Sequence, residues 1–129
     1  EAAVKVENAK VIGVDVDQAG IIDSAYGEGL TVTSAMKGLA ATVDTMLSET
    51  LAGNFDNYGG KVETLGLVGA DPAANYVQLA GSTQFSDSFT EDDYAALVAA
   101  MFNGEITVSN DIAAMPETTI TVNDLGNIK

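Results

Sequence analysis

Hydrophobic residues in the first third of the chain follow a strand pattern. Residues 10–17 are rich in valine and isoleucine, and such a nearly continuous β-branched run is typical of a parallel strand covered on both faces. The segment that follows, up to Leu30, contains several glycines and has the composition of a loop. Residues 31–34 then predict a second short strand.

The spacing changes to a helical one after this strand. Apolar residues recur every three or four positions, which predicts one buried helix face. They are Met36, Leu39, Ala40, Val43, Leu47 and Leu51. Ser34 is a good N-cap and Gly53 marks the end, so the sequence predicts a helix over residues 34–51.

The second half of the chain predicts further strands and one more helix. The predicted strands are residues 61–69, a weaker one at 76–80, and two closing strands at 104–108 and 118–122, with Pro116 between the last two. Thr90 caps the predicted helix over residues 90–103, and acidic residues fill its first turn. This order predicts an α/β domain with a mainly parallel sheet flanked by the two helices.

The composition restricts the possible functions more than it restricts the possible folds. The chain has 129 residues, which predicts one domain that buries roughly two thirds of its unfolded surface. Nineteen acids against five lysines give a formal charge of −14, which argues against a nucleic-acid partner. The absence of Cys and His removes thiol and imidazole chemistry and the usual zinc sites. No apolar run reaches the length of a membrane span. We expect no metal and no cofactor.

Polar residues cluster at the predicted carboxyl ends of the first two strands. Asp15 and Asp17 end the first strand, and Ser34 and Lys37 follow the second. Ligands of open α/β sheets bind at such ends. If the strands are neighbours, carboxylates and an ammonium face one crevice, an array suited to a neutral polyhydroxy ligand. Lys37 falls in the first helical turn, which disfavours a cation, so we expect a ligand and carboxylates to compensate it.

Other interpretations of these residues compete with a ligand site. Asp15 and Asp17 could cap the loop, and Lys37 could extend to solvent as a surface charge. The opening D-x-D-x-x-G resembles a calcium loop, but position twelve is Tyr26, and we reject it. Ser34 and Lys37 match the S-x-x-K of serine acyl-enzymes, without the companion motifs of that class. A hydrolase using this pair and an interaction module without a small ligand remain alternatives.

Four segments in order resemble basic membrane proteins, the lipid-anchored substrate-binding proteins of ABC transporters that include purine nucleoside receptors. The segments are VIGVDVDQ (residues 11–18), TVTSAMKGLAATVDTML (31–47), GGKVETLGL (59–67) and FNGEITV (102–108). The resemblance implies one lobe of a type I periplasmic-binding-protein fold, with this chain as the C-terminal lobe of a two-lobe protein. It also implies an extracytoplasmic lipoprotein that delivers its solute to an ABC permease and performs no catalysis.

In nucleoside-binding members of that family, the Asp of the GVD segment and the Lys of the S-x-x-K segment lie beside the ribose. The resemblance therefore implies ligand contacts at Asp15 and Lys37, with Asp17, Gln18 and Ser34 as neighbours. The chain departs from the family at Gly38, where a basic residue is common, and over residues 70–85. Because one lobe supplies only part of the contacts, we expect this chain alone to bind nucleosides in the millimolar range or not at all.

Overall fold

A computed structural model describes residues 1–109, 113, 117–123 and 126. Within these residues it contains three strands, β1 (Val11–Asp15), β2 (Thr31–Lys37) and β3 (Val77–Leu79). The α-helices of the same part are α1 (Ala19–Tyr26), α2 (Leu39–Leu51) and α3 (Glu91–Phe102). Short 3₁₀ turns occupy Ala3–Lys5, Phe55–Asn57 and Pro72–Ala74. The chain is therefore of the α/β class, as the pattern predicts.

The three strands form one small mixed sheet in the order β1-β2-β3. β1 and β2 are parallel, but β2 and β3 are antiparallel, so the prediction of a mainly parallel sheet is wrong for the third strand. The Gly38 amide donates to the Tyr76 carbonyl at 2.7 Å, so the chain enters β3 beside the end of β2. β3 must then run back along β2.

The segment before β2 is a helix rather than a loop. α1 covers Ala19–Tyr26, and the amides of Ile21 and Ile22 both donate to the Gln18 carbonyl. Gly27, with φ of 131°, ends it. The prediction of a loop, which rested on the glycines, is therefore wrong. Gly20 lies inside the helix, and only Gly27 and Gly29 follow it.

β2 is longer than predicted, and α2 starts later. Ser34 lies inside β2 and pairs with Gly13, so it does not cap the helix. Pairing with β3 extends the strand to Lys37, which lies opposite Val77. The N-cap of α2 is Gly38, without a side-chain hydrogen bond. Tertiary pairing therefore overrides the local helix signal over residues 34–37.

Three predicted strands are absent from the described residues. In residues 61–69, the Val68 and Gly69 amides donate to the Asn75 side chain, so this backbone forms a loop. After α3, the Glu105 and Ile106 amides donate back to the Ala100 carbonyl and end the helix. Residues 118–122 are irregular as well, and the Thr118 hydroxyl donates to the Ile120 carbonyl. Pro116 lies outside the described residues.

The weak strand and the second helix are confirmed. β3 lies within the predicted residues 76–80, and α3 covers Glu91–Phe102. Thr90 and Asp93 form a reciprocal capping box at its start. Of the two elements, α3 carries the strong local signal, its cap and acidic first turn.

The predicted buried face of α2 is exposed. Leu39, Val43, Leu47 and Leu51 are each more than half exposed, up to 89% for Leu51. The half-buried face carries Thr42, Thr45 and Met46 instead, and the Thr45 and Tyr76 hydroxyls lie 2.8 Å apart.

The chain also buries little surface. Among the described residues, the buried apolar side chains are Ala80 and Val98, and the buried polar ones are Thr31, Thr33, Ser34 and Asn75. The accessible surface is 9935 Å², whereas a compact monomer of this mass exposes about 6,400 Å². Only about half of the unfolded surface is buried, so the expected two thirds is wrong.

Candidate functional site

The carboxyl ends of the two parallel strands bring Asp15 and Lys37 together. The Lys37 Nζ lies 2.7 Å from the Asp15 Oδ1, and the two side chains are 64% and 57% exposed. Because β1 and β2 are adjacent and parallel, both ends meet at one edge of the sheet. The expected proximity of the two groups is therefore confirmed, and both are open to solvent.

The backbone at Asp15 has an uncommon conformation. Its φ of 76° is in the left-handed region, which Asp tolerates better than most residues. The backbone of Asp15 pairs with Met36, but its carboxylate contacts Lys37, the next residue of β2. Non-glycine residues held in this region concentrate at ligand and active sites. The conformation thus favours a functional role for this strand end.

Lys37 does not lie in a helical first turn. It is the last residue of β2, and α2 begins after Gly38. The expectation that a ligand must compensate an unfavourable helix dipole is therefore wrong in its premise. The ammonium of Lys37 is instead partnered by the Asp15 carboxylate.

An open cleft of about 440 Å³ surrounds this ion pair. Asp15, Asp17 and Lys37 line it together with Met36 and Gln78. Its volume is within the range of small-molecule sites. The cleft combines a carboxylate and an ammonium with apolar surface, so it can both accept and donate hydrogen bonds.

Asp17 serves mainly to order the loop at the edge of the cleft. Its Oδ1 accepts from the Ser82 hydroxyl at 2.7 Å and from the Ala19 amide at 3.1 Å. The Ser82 hydroxyl, and next the Ala19 amide, hold the pKa of the Asp17 carboxyl below its usual value. The loop-capping interpretation therefore fits Asp17, while Asp15 is the carboxylate that meets Lys37.

Gln18 and Ser34 contact each other and are not among the residues that line the cleft. Ser34 is 0% exposed, and its Oγ accepts from the Gln18 amide at 3.1 Å. The Gln18 Oε1 accepts from the Val14 amide. Gly13 is required at this crossing, since a Cβ there would collide with the Ser34 Oγ. As ligand contacts, both residues stay predictions without support from this geometry.

The S-x-x-K pair lacks the arrangement that the acyl-enzyme alternative assumes. On a helix, residues three apart share one face. Ser34 and Lys37 both lie on β2, where residues three apart point to opposite faces. Ser34 is buried, and Lys37 pairs with Asp15.

Sequence reasoning missed the residues that hold the other wall of the cleft. Asn75 is 0% exposed, and its side chain makes hydrogen bonds to Val68, Gly69 and Asp71. A Cβ at Gly38 would lie 2.7 Å from the Asn75 carbonyl oxygen, so only glycine fits there without a shift. The glycine at 38 and the segment around Asn75 are thus one packed feature. No local pattern signals it, because the partners are distant in sequence.

A second cavity of about 340 Å³ lies beside α2, lined mainly by Thr45, Met46, Tyr58 and Tyr76 with Lys61 and Glu63. It contains none of the residues that the sequence singled out, so we place the candidate site at the ion pair. Over the described residues, no group of three or more acidic side chains is arranged to hold a metal ion. In the same residues, no helix has the length and apolarity to cross a membrane.

No protein-family model, curated protein or solved structure matches this chain significantly.

Proposed function

We propose that this chain is the solute-binding lobe of an ABC importer receptor for purine nucleosides or related polyhydroxy solutes. The observation that carries the proposal is the Asp15–Lys37 ion pair at the carboxyl ends of two adjacent parallel strands, in an open cleft. Ligands of α/β sheets bind at this position. The resemblance of the four sequence segments to basic membrane proteins supports the solute class.

The chemistry of the pair suits vicinal hydroxyls. A carboxylate accepts hydrogen bonds from two neighbouring hydroxyls, and an ammonium donates to a hydroxyl or a ring oxygen. Asp15 and Lys37 neutralise each other at 2.7 Å, and the third charged group of the cleft, Asp17, is already engaged by Ser82 and Ala19, so the ion pair is suited to an uncharged ligand. Because both side chains are more than half exposed, neither requires large rearrangement before a ligand arrives.

The large accessible surface supports a place in a larger protein. The excess over a compact monomer includes an apolar stripe on α2 and the exposed Ile12 and Val14 of β1. In the proposal, this chain is one lobe of a type I periplasmic-binding-protein fold, and a second lobe closes over the cleft. The receptor is held outside the cytoplasmic membrane by a lipid anchor and delivers its solute to an ABC permease.

Titration of the chain with inosine tests the proposal. Of the two outcomes expected from the sequence, millimolar binding or none, the structure favours millimolar binding, because the ion pair is already formed and open to solvent. NMR chemical shifts should report this binding, and Asp15→Ala should weaken it about tenfold or more, because charge-assisted hydrogen bonds are lost. Lys37→Met keeps the aliphatic stem and should also weaken binding. Affinity that is unchanged in both variants would refute the proposed site.

The two alternatives give different results in parallel experiments. A serine hydrolase would be labelled at Ser34 by a fluorophosphonate, and we expect no label because the Oγ is buried and already accepts the Gln18 amide. An interaction module would show no response to inosine, guanosine, adenosine, cytidine or ribose.

A further inference from the structure

The cleft lies at the end of the sheet and reaches all three strands. Asp15 of β1 pairs with Met36 of β2, and Met36 pairs with Gln78 of β3. All three residues line the same cleft. Neighbouring strands lie about 4.8 Å apart, so the backbones of Asp15 and Gln78 are about 10 Å apart with Met36 between them.

The amide group of Gln78 has a fixed orientation. Its Nε2 donates to the Ala73 carbonyl at 2.8 Å and to the Asn75 carbonyl at 2.7 Å. Two carbonyl partners identify the nitrogen, since only the NH₂ group can donate twice. The Oε1 therefore points away from this loop, and in the described part of the chain it receives no hydrogen bond.

The support behind Gln78 is itself ordered. Asn75 is 0% exposed, and its side-chain hydrogen bonds lie between 2.6 and 3.1 Å. Its backbone is packed against Gly38, where no Cβ fits. An amide held by two bonds to such a loop presents its oxygen at little entropic cost.

We propose that the Gln78 Oε1 accepts a hydrogen bond from a ligand hydroxyl, so that the cleft holds a sugar ring between Asp15 and Gln78 above Met36. This inference rests on the proposed function and specifies its substrate class. Gln78 is then a specificity-determining residue: it selects for a hydroxyl that Asp15 does not reach.

The dimensions fit a single sugar ring. The backbones of Asp15 and Gln78, about 10 Å apart, and a cleft of about 440 Å³ leave room for one furanose or pyranose ring between the two side chains. Met36 offers an apolar, adaptable side chain beneath the C–H face of the ring.

Titration with inosine and its 2′-deoxy, 3′-deoxy and 5′-deoxy forms tests this inference, with Kd taken from NMR shifts. Gln78→Met keeps the length of the side chain and removes the acceptor, so inosine should bind about threefold to tenfold more weakly. One of the three deoxy probes, which binds the unmodified chain more weakly than inosine does, should bind this variant as tightly as inosine. In Asp15→Ala, a different deoxy probe should lose its disadvantage.

Gln84→Met is the matched control. Gln84 also donates its Nε2 to two backbone carbonyls, those of Gly29 and Thr31, but it does not line the cleft. A melting curve of each variant measures the shared structural cost of losing these bonds. Gln84→Met should therefore lower the Tm while leaving the affinity for inosine unchanged.

The failures are distinguishable. Suppose that inosine binds and that Asp15→Ala weakens this binding. If Gln78→Met then leaves the ratio of each deoxy probe's Kd to that of inosine as in the unmodified chain, this inference is overturned while the proposed function stands. If Gln84→Met weakens the binding of inosine as much as Gln78→Met does, the effect is structural and the inference is also overturned. If inosine does not bind the unmodified chain, the proposed function fails and this inference fails with it.

Discussion

The two longer helices begin in different ways. α3 begins after Thr90, whose hydroxyl accepts the Asp93 amide while the Asp93 carboxylate accepts the Thr90 amide. α2 begins after Gly38, which has no side chain to cap it. The Gly38 amide donates instead to the Tyr76 carbonyl, and its α-carbon packs against the Asn75 backbone.

The difference separates a locally determined region from one determined by tertiary contacts. Every group of the α3 capping box lies within four consecutive residues, so this start depends little on the rest of the chain. The start of α2 requires the loop around Asn75 to be in place. Because Lys37 immediately precedes Gly38, the candidate site depends on the same loop.

Asn75→Ala should produce the largest loss of stability, because it removes the side chain that bonds the Val68 and Gly69 amides and the Gly69 and Asp71 carbonyls. We expect about 3 kcal/mol of the free energy of unfolding, since unpaired buried polar groups cost about 1–3 kcal/mol each. Urea denaturation measures it. The surface variant Asn57→Ala is the control, and an equal loss in both would contradict the role of Asn75.

Gly38→Ala should cost about 1–3 kcal/mol, because the new methyl would meet the Asn75 carbonyl oxygen at 2.7 Å and the Tyr76 Cα at 2.8 Å. Gly20→Ala supplies a control of opposite sign. Gly20 lies inside α1, and a Cβ at this position would meet nothing within 4 Å, so alanine should stabilise by about 0.5–1 kcal/mol. Urea midpoints that move in the same direction would refute the close approach at Gly38.

Thr90→Ala should cost about 1 kcal/mol through loss of the α3 cap. Thr90→Asn keeps a capping oxygen and should stay within a few tenths of a kcal/mol of the unmodified chain. Thermal denaturation followed by circular dichroism compares them. If the comparison of the two helices is right, neither change alters the shift of Lys37 on adding inosine. A disturbed Lys37 signal in Thr90→Ala would show that the regions are coupled.

Ser82→Ala should have the smallest effect, visible in the pH dependence. The Ser82 hydroxyl lowers the folded-state pKa of Asp17, so the stabilisation is present above about pH 4 and is lost as the pH falls through the folded pKa. In Ser82→Ala, the Asp17 pKa should rise toward its usual value, as measured by NMR titration of the carboxyl. The control Ser88→Ala, whose hydroxyl contacts Ser86, should leave it unchanged.

Local signals account for the parts of the fold that the sequence predicts well. The β-branched run indicates β1, and the Thr90 cap with its acidic first turn indicates α3. The boundary between β2 and α2 could not be found in this way, because pairing of Lys37 with Val77 extends the strand into residues with helical spacing. The predicted strand at residues 61–69 is absent for a related reason, since the Asn75 side chain accepts the Val68 and Gly69 amides at the end of this segment.

The candidate site likewise contains residues that sequence patterns place correctly and residues that only tertiary contacts place. Asp15 and Lys37 could be placed together because parallel neighbouring strands end at one edge of the sheet. The contact between Ser34 and Gln18 could not be predicted, since the close approach at Gly13 that joins them is a tertiary contact. Gln78 has no motif, and its place in the cleft follows only from the register of β3.

In the proposed function, Asp15 and Lys37 form a binding site for a polyhydroxy ligand. The most direct measurement is a heteronuclear NMR titration of the chain with inosine, observing all backbone amides and the Lys37 ammonium. A binding site at the ion pair predicts saturable shifts in the millimolar range at Asp15, Lys37 and Gln78, with none at Thr90. These shifts should be lost in Lys37→Met. Shifts confined to the second cavity beside α2, which Tyr58 and Tyr76 line, would contradict a site at the ion pair. Identical titrations of the unmodified chain and Lys37→Met would contradict it as well.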